Sequence, residues 1–163
     1  MKLSPNQRMA LTAVTVLALD QLSKFCVMQR LPRYDEHVVL DGFFKFVHWG
    51  NTGAAWSLFT DQNAGLAIVS LLALLGLFIW RHHFDTRTLL GQTSLGLVFG
   101  GIVGNLVDRL VRHPVGDFIR FYLYRRNGEE LGFPAFQIAG SALCIGVGLT
   151  FFLSLRGLAG GRT

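Results

Sequence analysis

Asp117 sits in the run PVGDFI, after Pro114 and Gly116 and ahead of an apolar stretch. That setting predicts a loop returning a lone carboxylate toward an apolar surface, where burial raises its pKa and suits it to acid or base work. Peptide hydrolysis by carboxylates takes two that share a proton and activate a water between them, so one aspartate is not a mechanism. Other polar residues are spaced for pairing. Asp20 and Lys24 are i and i+4 on one predicted helix, about 6 Å apart on a shared face. Asn105 and Arg109 repeat the spacing, with Asp108 between them. At membrane depth such groups need one another or a polar cavity, and ties between helices, helix-end anchors and cavity lining all remain open readings. His82, His83 and Asp85 are a faint metal-ligand grouping; no Ser, His and Asp set stands out, and neither a metal nor another cofactor is expected.

The elements that must hold these residues are membrane spans. Of the 163 residues, 51% are hydrophobic and 15% charged, with mean hydropathy +0.42. Too few charges remain to clothe a soluble domain, and disorder is excluded by the same count. Four apolar runs qualify as helices that satisfy their own backbone in lipid, at about residues 9–27, 64–80, 88–107 and 138–155. The expected fold is therefore an all-α membrane protein, one integral domain of four transmembrane helices over residues 1–163. The first run is read as a retained helix, because no small-x-small cleavage site follows it before Asp20. Lys2, Arg8, Arg81, Arg87, Arg156 and Arg162 crowd three short segments on the terminal side, whereas Arg30, Arg33, Lys45, Arg109, Arg112, Arg120, Arg125 and Arg126 are spread over much longer ones. Density in short loops predicts cytoplasmic termini and an extracytoplasmic site. The net charge of +5 points to anionic headgroups rather than nucleic acid. Cys26 and Cys144 fall within apolar runs and read as small hydrophobes.

Between the spans, Val38 to Trp49 reads as a β-hairpin turning at Asp41-Gly42. The following segment GNTGAAWSLF offers Trp56, Leu58 and Phe59 either to the membrane interface or to a substrate. Gly96, Gly100 and Gly104 form a small-residue stripe for a neighbouring helix. From Asp108 to Phe136, Phe118, Ile119, Phe121, Tyr122, Leu123 and Tyr124 interleave with Arg120, Arg125 and Arg126. That composition predicts a loop lying on the membrane surface.

Taken together, LDQLSK (residues 19–24), NTGAAWSLF (51–59), GGIVGNLVDRL (100–110), VGDFI (115–119) and FPAF (133–136) resemble the blocks of the lipoprotein signal peptidases (signal peptidase II). They occur in family order, with family spacing, over nearly the whole chain. The resemblance implies a four-helix bacterial inner-membrane aspartic peptidase that cleaves diacylglyceryl-modified prolipoproteins just ahead of the lipid-bearing cysteine. It also implies that Asp117 is one of two catalytic aspartates, that Asn51, Gly53, Asn105 and Arg109 line the active-site region, and that Asp20 and Lys24 form the first-helix motif. The second aspartate is expected in a block of the form FPAFNxADS, but this chain reads FPAFQIAGS. Gln137 stands where the resemblance implies Asn, and Gly140 where it implies the catalytic Asp.

No Asp or Glu occurs from Leu131 to Thr163, so no register shift of the fourth helix supplies one. Asp20 and Asp108 each have a nearer cation. Without a proton-sharing neighbour, Asp117 is expected to relax toward an ordinary pKa. Losing one group of a catalytic unit costs factors of about 10² to 10⁴, so little or no cleavage is expected. Three functional readings follow: a crippled peptidase that keeps its substrate site, a monomeric non-catalytic binder of lipidated precursors, and an ion or proton pathway through Asp20, Lys24, Asp108 and Asp117.

Overall fold

Ser4 starts the first helix with a capping box: its hydroxyl accepts the Gln7 amide hydrogen, and the Gln7 side chain accepts from the Ser4 amide. Pro5 fills the first helical position, where no amide hydrogen is needed. In this computed structural model residues 3–53, 58–84 and 86–160 are described, with side chains to Arg156. The order is α1 (Pro5–Arg30), β1 (Glu36–Leu40), β2 (Phe44–Asn51), α2 (Asn63–Trp80), a 3-10 turn (Arg81–His83), α3 (Leu89–Val111), β3 (Val115–Tyr124), β4 (Glu130–Gly132) and α4 (Ile138–Gly160). All four α-helices are long and apolar enough to cross a membrane. They match the four predicted runs, but α1, α3 and α4 run further because their polar ends continue the same backbone ladder.

The buried centre is α3, packed against α1 and α4, whereas α2 leaves almost all of its surface outward. The predicted glycine stripe does what its spacing implies. A Cβ on Gly96 would stand 2.6 Å from Thr12 Cβ, and one on Gly100 2.8 Å from the Ala13 carbonyl, so α1 lies directly on α3. Gly101, which the stripe omits, serves the opposite face: its Cβ would fall 2.5 Å from the Ala139 carbonyl and 2.8 Å from the Leu143 amide of α4. Adjacent glycines thus admit two helix backbones from two sides.

At the α3 C-terminal end sits one four-stranded antiparallel sheet in the order β1-β2-β3-β4. The hairpin turns where predicted, with Gly42 at φ 70°. The segment predicted as a loop from Asp108 to Phe136 instead contains the two strands β3 and β4. Tyr122 and Phe118 are buried and Arg120 is tied across the sheet, while Phe121, Leu123 and Tyr124 stay exposed. Lys45 on β2 lies 2.6 Å from Glu36 on β1 and 2.7 Å from Glu130 on β4, and Arg120 on β3 lies 2.8 Å from Glu130. Four charges therefore strap four strands. Interleaved aromatic and basic residues describe such a strand as well as an interfacial loop, and pairing with β2 decides between them. Leu58 and Phe59 are exposed; Trp56 lies outside the described residues.

Gly101→Leu drives a side chain into the α4 backbone, at a cost of about 1–3 kcal/mol or more. Thermal unfolding in detergent should show a clear drop in midpoint for this variant and little change for Gly148→Ala, whose added methyl meets nothing within 4 Å.

Candidate active site at the sheet end of the bundle

Lys24 is fully buried, and its ammonium lies 2.6 Å from Asp20 Oδ2 and 2.6 Å from Asp108 Oδ2, both carboxylates being 0% exposed. The predicted i, i+4 pair thus makes up two members of a three-membered cluster. Each carboxylate has a second task. Asp108 Oδ2 accepts from the Gly116 amide at 3.2 Å, and Asp20 Oδ1 accepts from the Ala139 amide at 2.9 Å. One ammonium therefore holds the backbone immediately before position 117 and immediately before position 140. Gln21 donates to Asp20 and Asp108 and accepts from Arg112, which lies 2.5 Å from Asp108 Oδ1. Sequence reasoning singled out neither Gln21 nor Arg112 as part of this cluster; i to i+4 spacing from Asp108 was the available signal for Arg112.

Asp117 sits on β3, not in a loop, opposite Trp49 of β2. Between the Phe46–Ile119 and Trp49–Asp117 pairs, β2 carries one extra residue, a bulge of the kind that re-aims side chains beside functional sites. Gly116 lets the Met28 side chain of α1 pack close, its methyl carbon 2.1 Å from where a Cβ would stand, so a larger residue here would displace that methyl. The Asp117 carboxylate is only 8% exposed. Asn51 Nδ2 donates to its Oδ2 at 3.1 Å, and Asn51 Oδ1 in turn accepts from the Gly53 amide at 2.9 Å. Arg109 Nη2 donates to the Gly53 carbonyl at 3.0 Å and its Nη1 to the Asn105 carbonyl at 3.4 Å. Asn51, Gly53, Arg109 and Asp117 accordingly form one connected group.

The expected relaxation of Asp117 toward an ordinary pKa does not occur. Burial pushes it from 3.8 up to about 6, against the Asn51 hydrogen bond and the Lys24 charge, with Asp108 and Asp20 adding a further upward push. A buried carboxylate needs no proton-sharing partner to hold its proton more tightly.

The start of α4 is brought to β3 by backbone hydrogen bonds: Phe118 and Ile119 both donate to the Phe136 carbonyl, and Phe136 donates to Ile119. One residue later, Gln137 Nε2 donates to Asn105 Oδ1 at 2.6 Å while its Oε1 accepts the Gly140 amide hydrogen at 3.0 Å. Gln137 thus caps the α4 N-terminus and ties it to α3. Asn105 and Arg109, one turn apart on α3, join this group to the Asp117 group. All the residues singled out from the sequence, Asp20, Lys24, Asn51, Gly53, Asn105, Arg109, Asp117, Gln137 and Gly140, belong to this one end of the molecule. His82 and His83 are at the other end, their rings 5.2 Å apart; Asp85 lies outside the described residues.

Four helices long and apolar enough to cross a membrane, with a small sheet over one end bearing a buried acid, define a membrane-protein architecture. A bacterial membrane enzyme solved by the in meso method at 2.3 Å resolution shares this fold, with a TM-score of 0.80 and 28% identity over 95% of this chain and 91% of that one. A second, solved in meso at 1.9 Å, gives 0.75 and 30% over 91% and 92%. The sequence pattern of signal peptidase (SPase) II matches residues 12–156, and the chain belongs to that family. The lipoprotein signal peptidase of Bacillus pumilus is 34% identical over 88% of this chain and 89% of its own length. That of Symbiobacterium thermophilum is 33% identical over 85% and 88%. The family comprises bacterial inner-membrane proteins acting on lipoprotein precursors.

Two tests follow. Lys24→Met leaves two buried carboxylates facing each other without a cation, a loss of about 3–5 kcal/mol. Adding Asp20→Asn and Asp108→Asn should recover part of the unfolding midpoint. For Asp117, a folded-state pKa of about 6 above an ordinary 3.8 means the folded chain binds the proton more tightly. The associated stability is complete below the ordinary value and lost as pH rises through 6, up to about 3 kcal/mol at pH 7. Asp117→Asn should therefore raise the thermal midpoint at pH 7.5 and narrow its difference between pH 5 and pH 7.5.

Proposed function

We propose that this chain engages diacylglyceryl-modified prolipoproteins at the sheet end of its bundle, as a monomer on the extracytoplasmic face, and that it cleaves them poorly or not at all. The observation that carries the reading is the isolation of Asp117. Its carboxylate is hydrogen bonded to Asn51, while the two other acids whose charges reach it, Asp20 and Asp108, are both committed to Lys24 at 2.6 Å. Position 140, where the family resemblance implies the second aspartate, has no side chain. Hydrolysis requires one carboxylate to take a proton from water while its partner, protonated, hydrogen bonds the scissile carbonyl. Asp117, poised near pH 6, can fill one of those roles at a time.

The remainder of the site supports retained recognition. Arg109 and Asn51 fix the Gly53 backbone, and Gln137 holds the α4 start against α3. Apart from the unpartnered Arg109 Nε, the hydrogen bonds of these residues run to backbone and to one another, an arrangement that presents a formed surface. The ion-pathway reading loses its support for the same reason: Asp20 and Asp108 are paired in contact with Lys24 and Arg112, two charges of each sign.

Restoring the missing acid tests the proposal. A Cβ at position 140 would stand 3.1 Å from Gln137 Nε2, so a side chain can be introduced there once that amide moves a few tenths of an ångström. Gly140→Asp should bring back measurable cleavage of a lipidated precursor in a gel-shift assay, and Gly140→Asp with Gln137→Asn should do better, by about 10²-fold or more over the unaltered chain. Brisk turnover by the unaltered chain, or a double variant that crosslinks to the precursor yet never cuts it, would refute the proposal.

A further inference from the structure

At the opposite end of the bundle, a cavity of about 490 Å³ opens between the first turn of α3 and the last turns of α4. His83, Thr88, Ser94, Thr150, Ser154 and Arg156 line it. We infer that it is a binding site for the phosphoglycerol headgroup of an anionic phospholipid, with the phosphate held by Arg156 and His83 and the glycerol hydroxyls on the Thr150 and Ser154 oxygens.

Charge selects the phosphate. Arg8 reaches this end through a 3.2 Å hydrogen bond to Gln92, and Arg81, His82, His83, Arg87 and Arg156 belong to the same end, where the sequence sets one acid, Asp85. Among the described residues Arg156 forms no ion pair; its guanidinium sits 5.6 Å over the Phe152 ring. The 23-residue helix α3 begins at the cavity, adding the partial positive charge of its N-terminus.

The hydroxyls select the rest of the headgroup. Ser94 Oγ donates to the Gly91 carbonyl at 2.9 Å, Thr150 Oγ1 to the Gly146 carbonyl at 2.8 Å, and Ser154 Oγ to the Thr150 carbonyl at 3.0 Å. Thr150 Oγ1 also lies 3.3 Å from Ser94 Oγ, and Ser94 is 1% exposed, so the accessible oxygens are those of Thr150 and Ser154, whose hydrogens are committed and which remain able to accept. A ligand must therefore bring donors along with its phosphate. Glycerol hydroxyls satisfy this at net negative charge. An ethanolamine headgroup also brings donors, but its ammonium would stand among like charges. Opening where helices long and apolar enough to span meet their polar ends, the cavity matches headgroup depth, with the outward apolar faces of α2 and α4 available to the acyl chains.

Native mass spectrometry of the purified full chain, exchanged into micelles holding equal phosphatidylglycerol and phosphatidylethanolamine, tests the site. Phosphatidylglycerol should be retained preferentially at one per chain. Arg156→Gln should lower that retention about fivefold, the effect of removing one cation near an anionic headgroup. Ser154→Leu, which fills the cavity and leaves its charge, should lower it as well, whereas Arg125→Gln at the exposed β3–β4 turn should not. Equal retention of the two lipids by the unaltered chain would overturn the inference without recourse to any variant. So would undiminished retention by both cavity variants, or displacement of the lipid by inorganic phosphate at equal concentration, which would mark a free-anion site.

Discussion

The sheet end of this molecule depends on one ammonium group. Lys24 sits between two carboxylates with no solvent contact, and each carboxylate spends a second oxygen or lone pair on a backbone amide of a different element. An isolated charge at that depth is costly, and an isolated carboxylate equally so. The three groups are stable together, and only in the geometry that joins α1 and α3 to β3 and α4. A buried ion cluster is weak as a source of net stability but strong as a specifier, since every alternative packing leaves a charge uncompensated. Here the specified quantity is the separation between the backbone at 116 and the backbone at 139, which sets the two positions where the family resemblance implies acids.

That arrangement survives although position 140 has no carboxylate. The Gln137 side chain occupies the neighbouring space, accepting the Gly140 amide hydrogen and donating to Asn105. The substitution of Gln for Asn at 137 and of Gly for Asp at 140, relative to the pattern the family resemblance implies, is consequently a coherent pair: a longer amide fills what the absent acid leaves. The cluster shares no atom with Asp117 yet reaches it through charge, Lys24 pulling its pKa down while Asp20 and Asp108 push it up.

The chain's pattern exposed some of this and concealed the rest for identifiable reasons. Uninterrupted apolar runs revealed the four helices, and i to i+4 spacing revealed the Asp20–Lys24 pair, because both are properties of one helix. The link from Lys24 to Asp108 joins residues 84 positions apart, and nothing local announces it. Strand β3 was read as an interfacial loop because Arg120 and its aromatic neighbours have that composition; only Glu36 and Glu130, contributed by other strands, convert its charge into a strap. The glycine stripe was visible at period four, yet Gly101 was not, since its partner helix begins 37 residues later at Ile138. The rise in the Asp117 pKa was first expected from burial and then wrongly withdrawn by a two-carboxylate argument, which neglects how far desolvation alone carries a group covered by three elements.

Back-to-back glycines on α3 have a mechanical consequence. With α1 and α4 seated against its backbone at Gly96, Gly100 and Gly101, α3 leaves little compliant side chain at those crossings, so these three helices tilt together. The second helix, 6% buried and tied at its start by the Asn63 bond to the Arg109 carbonyl, is the more compliant part. In a bilayer thinner or thicker than the hydrophobic height of the bundle, α2 absorbs the mismatch by changing its inclination, and the acid on β3 keeps its register with the fourth helix across membranes of different thickness.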